Sequence, residues 1–296
     1  MLYFEKMLKP NGENSRTLMR FWPSQTPPRG LVCLVHGLGE HCGRYQHVAG
    51  FFNRAGYAVA ALDLLGHGAS VGRRGHFYGY PAVATQINAV VAEAAKSVGD
   101  LPVVLYGHSM GGNMVLNVLL RGLLQKEPEA LVLSGPLFEP AFEPPTWKVL
   151  LGKAVYRIWP TLSLANELDP AGLSRDEQVV ADYLKDEWVH GLITAKFVEV
   201  LAGGLWANHE AARVTCPVLL MHGDQDPITS VSASKSFAAV APNCHLKLWP
   251  GLRHELHNEP EQNEVLALAA AWLGETLAVA PVVDAFSPSA ETKAVG

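Results

Sequence analysis

Cysteine is scarce in this chain: four residues in 296 (Cys33, Cys42, Cys216 and Cys244), with no C-x-x-C spacing. That argues against a thiolate metal site, and in so long a chain it favours free thiols over a disulfide framework. An excess of basic charge is also missing. Lys and Arg number 23 against 28 Asp and Glu, a formal net charge of −5, which leaves no electrostatic footprint for nucleic acid. No apolar run reaches the ~18 residues of a membrane span. Residues 1–6 lack the long apolar stretch of a signal peptide. From these absences we expect a soluble, cytoplasmic protein. What the chain does have is apolar mass: 49% of its residues are hydrophobic, enough to bury a large core within one α/β domain.

Strand-like and helix-like segments alternate along the first half. Residues 2–8 and 17–22 read as strands bracketing a turn at Pro10-Asn11-Gly12-Glu13-Asn14. Residues 30–35, 57–62, 102–106 and 131–134 are apolar without alternation, as buried parallel strands are. Helices are expected over 44–55, 82–98 and 112–124. The order βαβαβ predicts an α/β fold: a mostly parallel sheet with helices on both faces. From 136 to 213 the alternation stops, and only helical stretches rich in Trp, Leu and Val are found. An insertion of that size reads as a cap over the carboxyl ends of the strands, where ligands of open α/β sheets bind. Strands at 216–221 and 245–249 and helices at 230–240 and 261–277 complete the pattern. The expected division is a core of 1–135 and 214–280, a helical cap of 136–213 and a disordered tail of 281–296.

The chemistry is concentrated in Gly107-His108-Ser109-Met110-Gly111, between a strand and a helix. Strand, sharp turn with a central serine, then helix is the context of a nucleophile elbow. A serine hydroxyl is a weak nucleophile and needs a histidine base oriented by a third group. In this architecture the partners follow in the order Ser, Asp or Glu, His, at the ends of later strands. Asp226, after the 216–221 strand, and His254, after the 245–249 strand, fit that order best. Asp224, which reads as a turn cap, and His257, a polar residue ahead of the last helix, are the alternatives. An oxyanion needs two backbone N–H donors. Met110 supplies one, and Leu38, in the glycine-rich loop His36-Gly37-Leu38-Gly39-Glu40-His41, supplies the other. His36 and His108 read as braces for these two loops. Although twelve histidines invite a metal centre, no carboxylate–histidine cluster has ligand spacing, so neither metal nor cofactor is expected.

Taken together, these motifs resemble the monoacylglycerol lipases and lysophospholipases among the serine α/β-hydrolases. The resemblance is carried by His36-Gly37-Leu38-Gly39-Glu40-His41 with Gly43-Arg44-Tyr45, and by Asp63 with Gly66-His67-Gly68-x-Ser70. Gly107-His108-Ser109-Met110-Gly111-Gly112, Gly223-x-x-Asp226 and His254-x-x-His257 extend it, as do Leu162-Ser163-Leu164 and Leu173-Ser174-Arg175 in the cap. It implies an α/β-hydrolase with Ser109 as nucleophile, Asp226 as acid, His254 as base, and Leu38 and Met110 as oxyanion donors. It further implies that Glu40, Arg44, His257 and Tyr183 surround the substrate's polar end, with a structural Glu40–Arg44 ion pair as the alternative. The implied reaction is hydrolysis of monoacylglycerols to fatty acid and glycerol. A lysophospholipase or broad carboxylesterase is the alternative, and a non-catalytic lipid receptor the alternative of another class. The implied partner is a lipid ester, with transient docking on lipid surfaces through the cap. Residues 136–213 hold no cysteine, so the thiol sensitivity of mammalian members is not expected.

Overall fold

The computed structural model describes residues 3–142 and 146–278, so the tail expected at 281–296 lies outside the described residues. Six strands run parallel to one another: β3 (Leu31–Val35), β4 (Ala58–Leu62), β5 (Val103–His108), β6 (Ala130–Ser134), β9 (Val218–Gly223) and β10 (Cys244–Trp249). Strand β2 (Thr17–Trp22) runs antiparallel to β4, and β1 (Phe4–Leu8) antiparallel to β2. The sheet order is β1-β2-β4-β3-β5-β6-β9-β10.

Both faces of the sheet are covered, which explains the unbroken apolar runs. In β3, Leu31, Cys33 and Val35 enter one core while Val32 and Leu34 enter the other. The first core is closed by α2 (Tyr80–Val98), α3 (Met110–Leu120) and α7 (Val231–Val240), and the second by α1 (Gln46–Arg54) and α8 (Gln262–Ala278). Each fully buried large side chain contributes roughly 1.5–3 kcal/mol, so the fold holds its central strands rigidly and presents their carboxyl ends as a fixed platform.

Of the helix starts that differ from expectation, two matter for the site. The helix expected at 44–55 begins instead as a 3₁₀ turn, Cys42–Tyr45, in which His41 Nδ1 accepts the Gly43 N–H at 3.2 Å; α1 follows. Helix α3 starts at Met110 rather than Gly112, because the Ser109 carbonyl accepts the Gly112 and Asn113 N–H groups at 3.0 and 3.3 Å.

Between β6 and β9 the chain forms α4 (Thr146–Ile158), α5 (Glu177–Lys185), α6 (Val198–His209) and a short antiparallel pair, β7 (Ser163–Ala165) with β8 (Leu192–Thr194). That pair has three residues a strand and is largely exposed, so it left no buried-strand pattern to read. Helix α6 belongs to the core packing: Val200 and Ala207 join the first core, Asn113 Nδ2 donates to the Val200 carbonyl at 2.9 Å, and Asn117 Nδ2 to that of Gly203 at 3.0 Å. Among the described residues no helix is long and apolar enough to cross a membrane.

Candidate active site

Ser109 sits at the tip of the turn from β5 to α3 with φ 53° and ψ −119°, a conformation costly for any residue but glycine, on the order of 1–3 kcal/mol. The surroundings enforce it. The Ser109 N–H donates to the Ser134 carbonyl and its own carbonyl accepts from Leu137, each at 2.9 Å. Gly111 lets α3 lie against β3, since a Cβ there would stand 2.1 Å from the Val35 carbonyl oxygen.

Asp226 and His254 meet below the elbow. His254 Nδ1 lies 2.7 Å from Asp226 Oδ2, and the two side chains are 2% and 0% exposed. Asp226 Oδ1 accepts the backbone N–H groups of Ile228 and Thr229 at 2.7 and 3.0 Å. Burial alone would raise the Asp226 carboxyl, but His254 and His222 beside it hold it far below the usual carboxylate range. Burial likewise pushes the His254 imidazole down, yet the Asp226 carboxylate outweighs that and raises it above its ordinary 6.5. The carboxylate occupies Nδ1, so Nε2 is the ring nitrogen left to act as base. Ser109 and His254 line one small chamber, and among the described residues no hydrogen bond joins them. Such bonds commonly tighten only when substrate is bound.

The alternatives fall elsewhere. Asp224 Oδ1 accepts the Gly251 N–H at 2.7 Å and so caps the turn between the loops after β9 and β10. His257 is fully buried, stacked on Tyr45 with centroids 4.7 Å apart, and neither of its ring nitrogens has a hydrogen-bond partner among the described residues.

The Leu38 and Met110 N–H groups are free of internal partners among the described residues. Gly37 brings the Leu38 loop close to the elbow: a Cβ on it would lie 3.2 Å from Ser109 Cβ. The loop is held by His36, whose Nδ1 donates to the Gly37 carbonyl at 2.7 Å while Nε2 accepts the Leu64 N–H at 3.0 Å. It is also held by Glu40, whose Oε1 accepts from the Gly37 N–H at 2.7 Å and the Tyr45 hydroxyl at 2.6 Å.

The headgroup residues expected from sequence divide into two kinds. Glu40 and Tyr183 line the chamber with Ser109; Arg44 and His257 do not. Arg44 instead forms the centre of a buried network, donating to Glu40 Oε2 at 2.6 Å and to both carboxylate oxygens of Glu255 at 2.6 and 2.8 Å. Burial opposes ionisation of both glutamates, but the Arg44 guanidinium holds each below its ordinary 4.5. Glu255 was missed from sequence. Its signal was a carboxylate next to the candidate base in a stretch with Leu252 and Leu256. Arg44 also lies 4.8 Å under the Tyr183 ring, and His41 Nε2 lies 2.8 Å from Asp186 Oδ2, which fastens the α5 end of the cap to the core. Ligand atoms of Glu40, His108 and Glu255 come within 4.8 Å of one another, as a cation site would require. Arg44 already supplies the positive charge there. His108 is pushed down to about 4 by burial and by His254 beside it, so it is uncharged at neutral pH.

A larger cavity of about 710 Å³, a size typical of ligand sites, shares Ser109 and Leu38 with the small chamber. Leu137, Phe142, Phe197, Leu201 and Ile228 give it an apolar wall, and Arg175 and Arg253 stand at its polar rim. The cap's apolar residues separate in this geometry. Trp147, Leu150, Leu151, Ile158 and Trp159 are each more than half exposed and are not helix-packing core.

Residues 26–261 match the family described as serine aminopeptidase, S33. The monoacylglycerol lipase of Mycolicibacterium smegmatis is 38% identical over 262 residues, covering 87% of this chain and 92% of that protein. The monoglyceride lipase of Rattus norvegicus is 30% identical, covering 91% of this chain and 90% of that protein. The crystal structure of Paleococcus ferrophilus monoacylglycerol lipase matches with a TM-score of 0.77 at 33% identity, over 87% of this chain and 99% of that one.

Proposed function

Because this chain belongs to the serine aminopeptidase S33 family of α/β-hydrolases and is a serine ester hydrolase within it, we propose that it cleaves monoacylglycerols. The supporting observation is the pair of compartments meeting at Ser109: an apolar-walled cavity suited to one acyl chain, and a small polar chamber bounded by Glu40, Tyr183 and His254. The chamber is only about 20 Å³ as it stands, smaller than a glycerol, and Tyr183 of α5 forms part of its wall.

Ser109 attacks the ester carbonyl as His254 Nε2 takes its proton. The Leu38 and Met110 N–H groups hold the oxyanion, and His254 returns the proton to departing glycerol. Water then hydrolyses the acyl-enzyme by the same route. Asp226 fixes the tautomer of His254 and stabilises its charged form. The base works only when neutral, and Asp226 raises it, so kcat/KM falls on the acid side with a midpoint above 6.5. The exposed apolar residues on and just after α4 give the cap a surface for transient seating on aggregated lipid.

The test is initial rates on matched monoacylglycerols, lysophosphatidylcholine and short p-nitrophenyl esters. Monoacylglycerols should lead the panel. Lysophosphatidylcholine in the lead would make the enzyme a lysophospholipase, and short esters in the lead a general esterase. Lipid binding with no turnover of any ester would make it a receptor.

A further inference from the structure

Helix α7 and strand β9 hold a second histidine against the candidate acid. His222 is the penultimate residue of β9 and fully buried. It continues the row of Val218 and Leu220, which face the first core, so packing alone would favour an apolar residue there. Instead its ring is bonded at both ends. Nδ1 lies 2.8 Å from the hydroxyl of Ser234, itself fully buried on α7, and Nε2 lies 3.0 Å from Asp226 Oδ2. The Thr229 carbonyl, another acceptor, is 3.2 Å from the same Nε2. With acceptors around Nε2 and a hydroxyl at Nδ1, the hydrogen belongs on Nε2 and the Ser234 hydroxyl donates to Nδ1.

Asp226 Oδ2 therefore receives two imidazoles, His254 at 2.7 Å and His222 at 3.0 Å, together with the Thr229 hydroxyl at 2.8 Å. Oδ1 is already filled by the Ile228 and Thr229 N–H groups. The Thr229 hydroxyl has one hydrogen to divide between Oδ2 and the Gly135 carbonyl 3.1 Å away, so four or five donors face a group with about four lone-pair sites, and the two imidazoles share Oδ2 in either case.

We propose that His222 is a positioning residue for hydrolysis, sharing Asp226 Oδ2 with His254 so that it fixes the carboxylate's rotation and limits how strongly that carboxylate draws a proton onto His254. This rests on Asp226 and His254 being the acid and base. The other groups facing His254 are the His108 ring at the end of β5, with centroids 4.8 Å apart, Glu255 beside it in the chain, and Glu40 from the loop after β3. Both glutamates are held by Arg44. His222 itself is faced by Asp226 and Thr229 from the loop after β9 and by Ser234 from α7. A substitution at 222 leaves the groups around His254 other than Asp226 in place, so a change in titration reports on the shared oxygen.

The experiment compares the pH dependence of kcat/KM for wild type, His222→Leu and His222→Gln on a short-chain ester, followed by titration of released acid. Leucine removes the competing donor, so the acid-side midpoint should rise by roughly 0.5–1 unit and plateau kcat should fall about tenfold with KM little changed. Glutamine keeps an N–H near the position of Nε2 and should restore most of both. A folded His222→Leu variant whose midpoint coincides with that of wild type would overturn the proposal and leave His222 a packing residue. Imidazole ¹⁵N spectra of wild type give a readout that needs no folded leucine variant. They should show His222 protonated at Nε2, and protonation at Nδ1 alone would equally overturn the proposal. If His254→Ala retained wild-type rates, the assignment of acid and base would fail, whatever the His222 results.

Discussion

Ser109→Ala is expected to lower kcat for a monoacylglycerol by on the order of 10⁵–10⁶-fold while leaving the protein folded and KM within a few-fold. The size follows from what is removed. Without the hydroxyl no acyl-enzyme forms, and only the Leu38 and Met110 N–H groups and the binding cavity remain to stabilise attack by water. The fold should be indifferent. Alanine keeps an L-configured Cβ at φ 53°, so the strain of the turn is neither relieved nor increased, and the backbone bonds to Ser134 and Leu137 persist. Ser109→Gly makes the complementary case: equally inactive, but more stable by about 1 kcal/mol because glycine accepts that φ without strain. Thermal melts beside the kinetics separate the two effects. A Ser109→Ala variant with more than about a tenth of wild-type kcat would exclude this serine as the nucleophile.

The second large effect is on stability. Arg44→Met should cost about 3–5 kcal/mol at neutral pH, because it leaves Glu40 and Glu255 ionised, buried and adjacent with no cation between them. The sign of the pH dependence is diagnostic. In wild type both carboxyl groups titrate below their ordinary 4.5, so their contribution is present above that value and is lost as the pH falls through their folded values. In Arg44→Met burial and mutual repulsion raise both, so their penalty grows as the pH rises through the new values and shrinks toward 4.5. Denaturant unfolding at pH 5 and 7.5 should therefore find the variant's deficit smaller at pH 5. A loss below about 1 kcal/mol at both pH values would show that Arg44 does not hold the network together. The same substitution should also lower activity, since Glu40 holds the Gly37 N–H and through it the loop bearing Leu38.

The contrast between Ser109 and Arg44 shows what a sequence makes legible here. The elbow could be read because its chemistry is local: a strand, a tight turn and a helix start within a few residues of Ser109. The pairing of Asp226 with His254, 2.7 Å apart, was legible because each follows a recognisable strand and chain order narrowed the choice. Arg44 was read as a headgroup contact or an ion-pair partner of Glu40, and its bidentate partner, Glu255, lies 211 positions away along the chain. Nothing in periodicity records such a pairing. The same holds for His222, which reads as one more polar residue at a strand end until α7 brings Ser234 against its ring. The packing of α6 was hidden for a related reason. Helix α6 is apolar nearly all round, so its membership in the core depends on the Asn113 and Asn117 side chains that meet it from α3.

The most direct test of Ser109 as the nucleophile is reaction with a lipid-like fluorophosphonate followed by peptide mass spectrometry. A single adduct is expected on the peptide containing Ser109, absent in Ser109→Ala and formed far more slowly in His254→Ala. A folded wild-type protein that stays unlabelled, or that carries the adduct on another residue, would contradict that role.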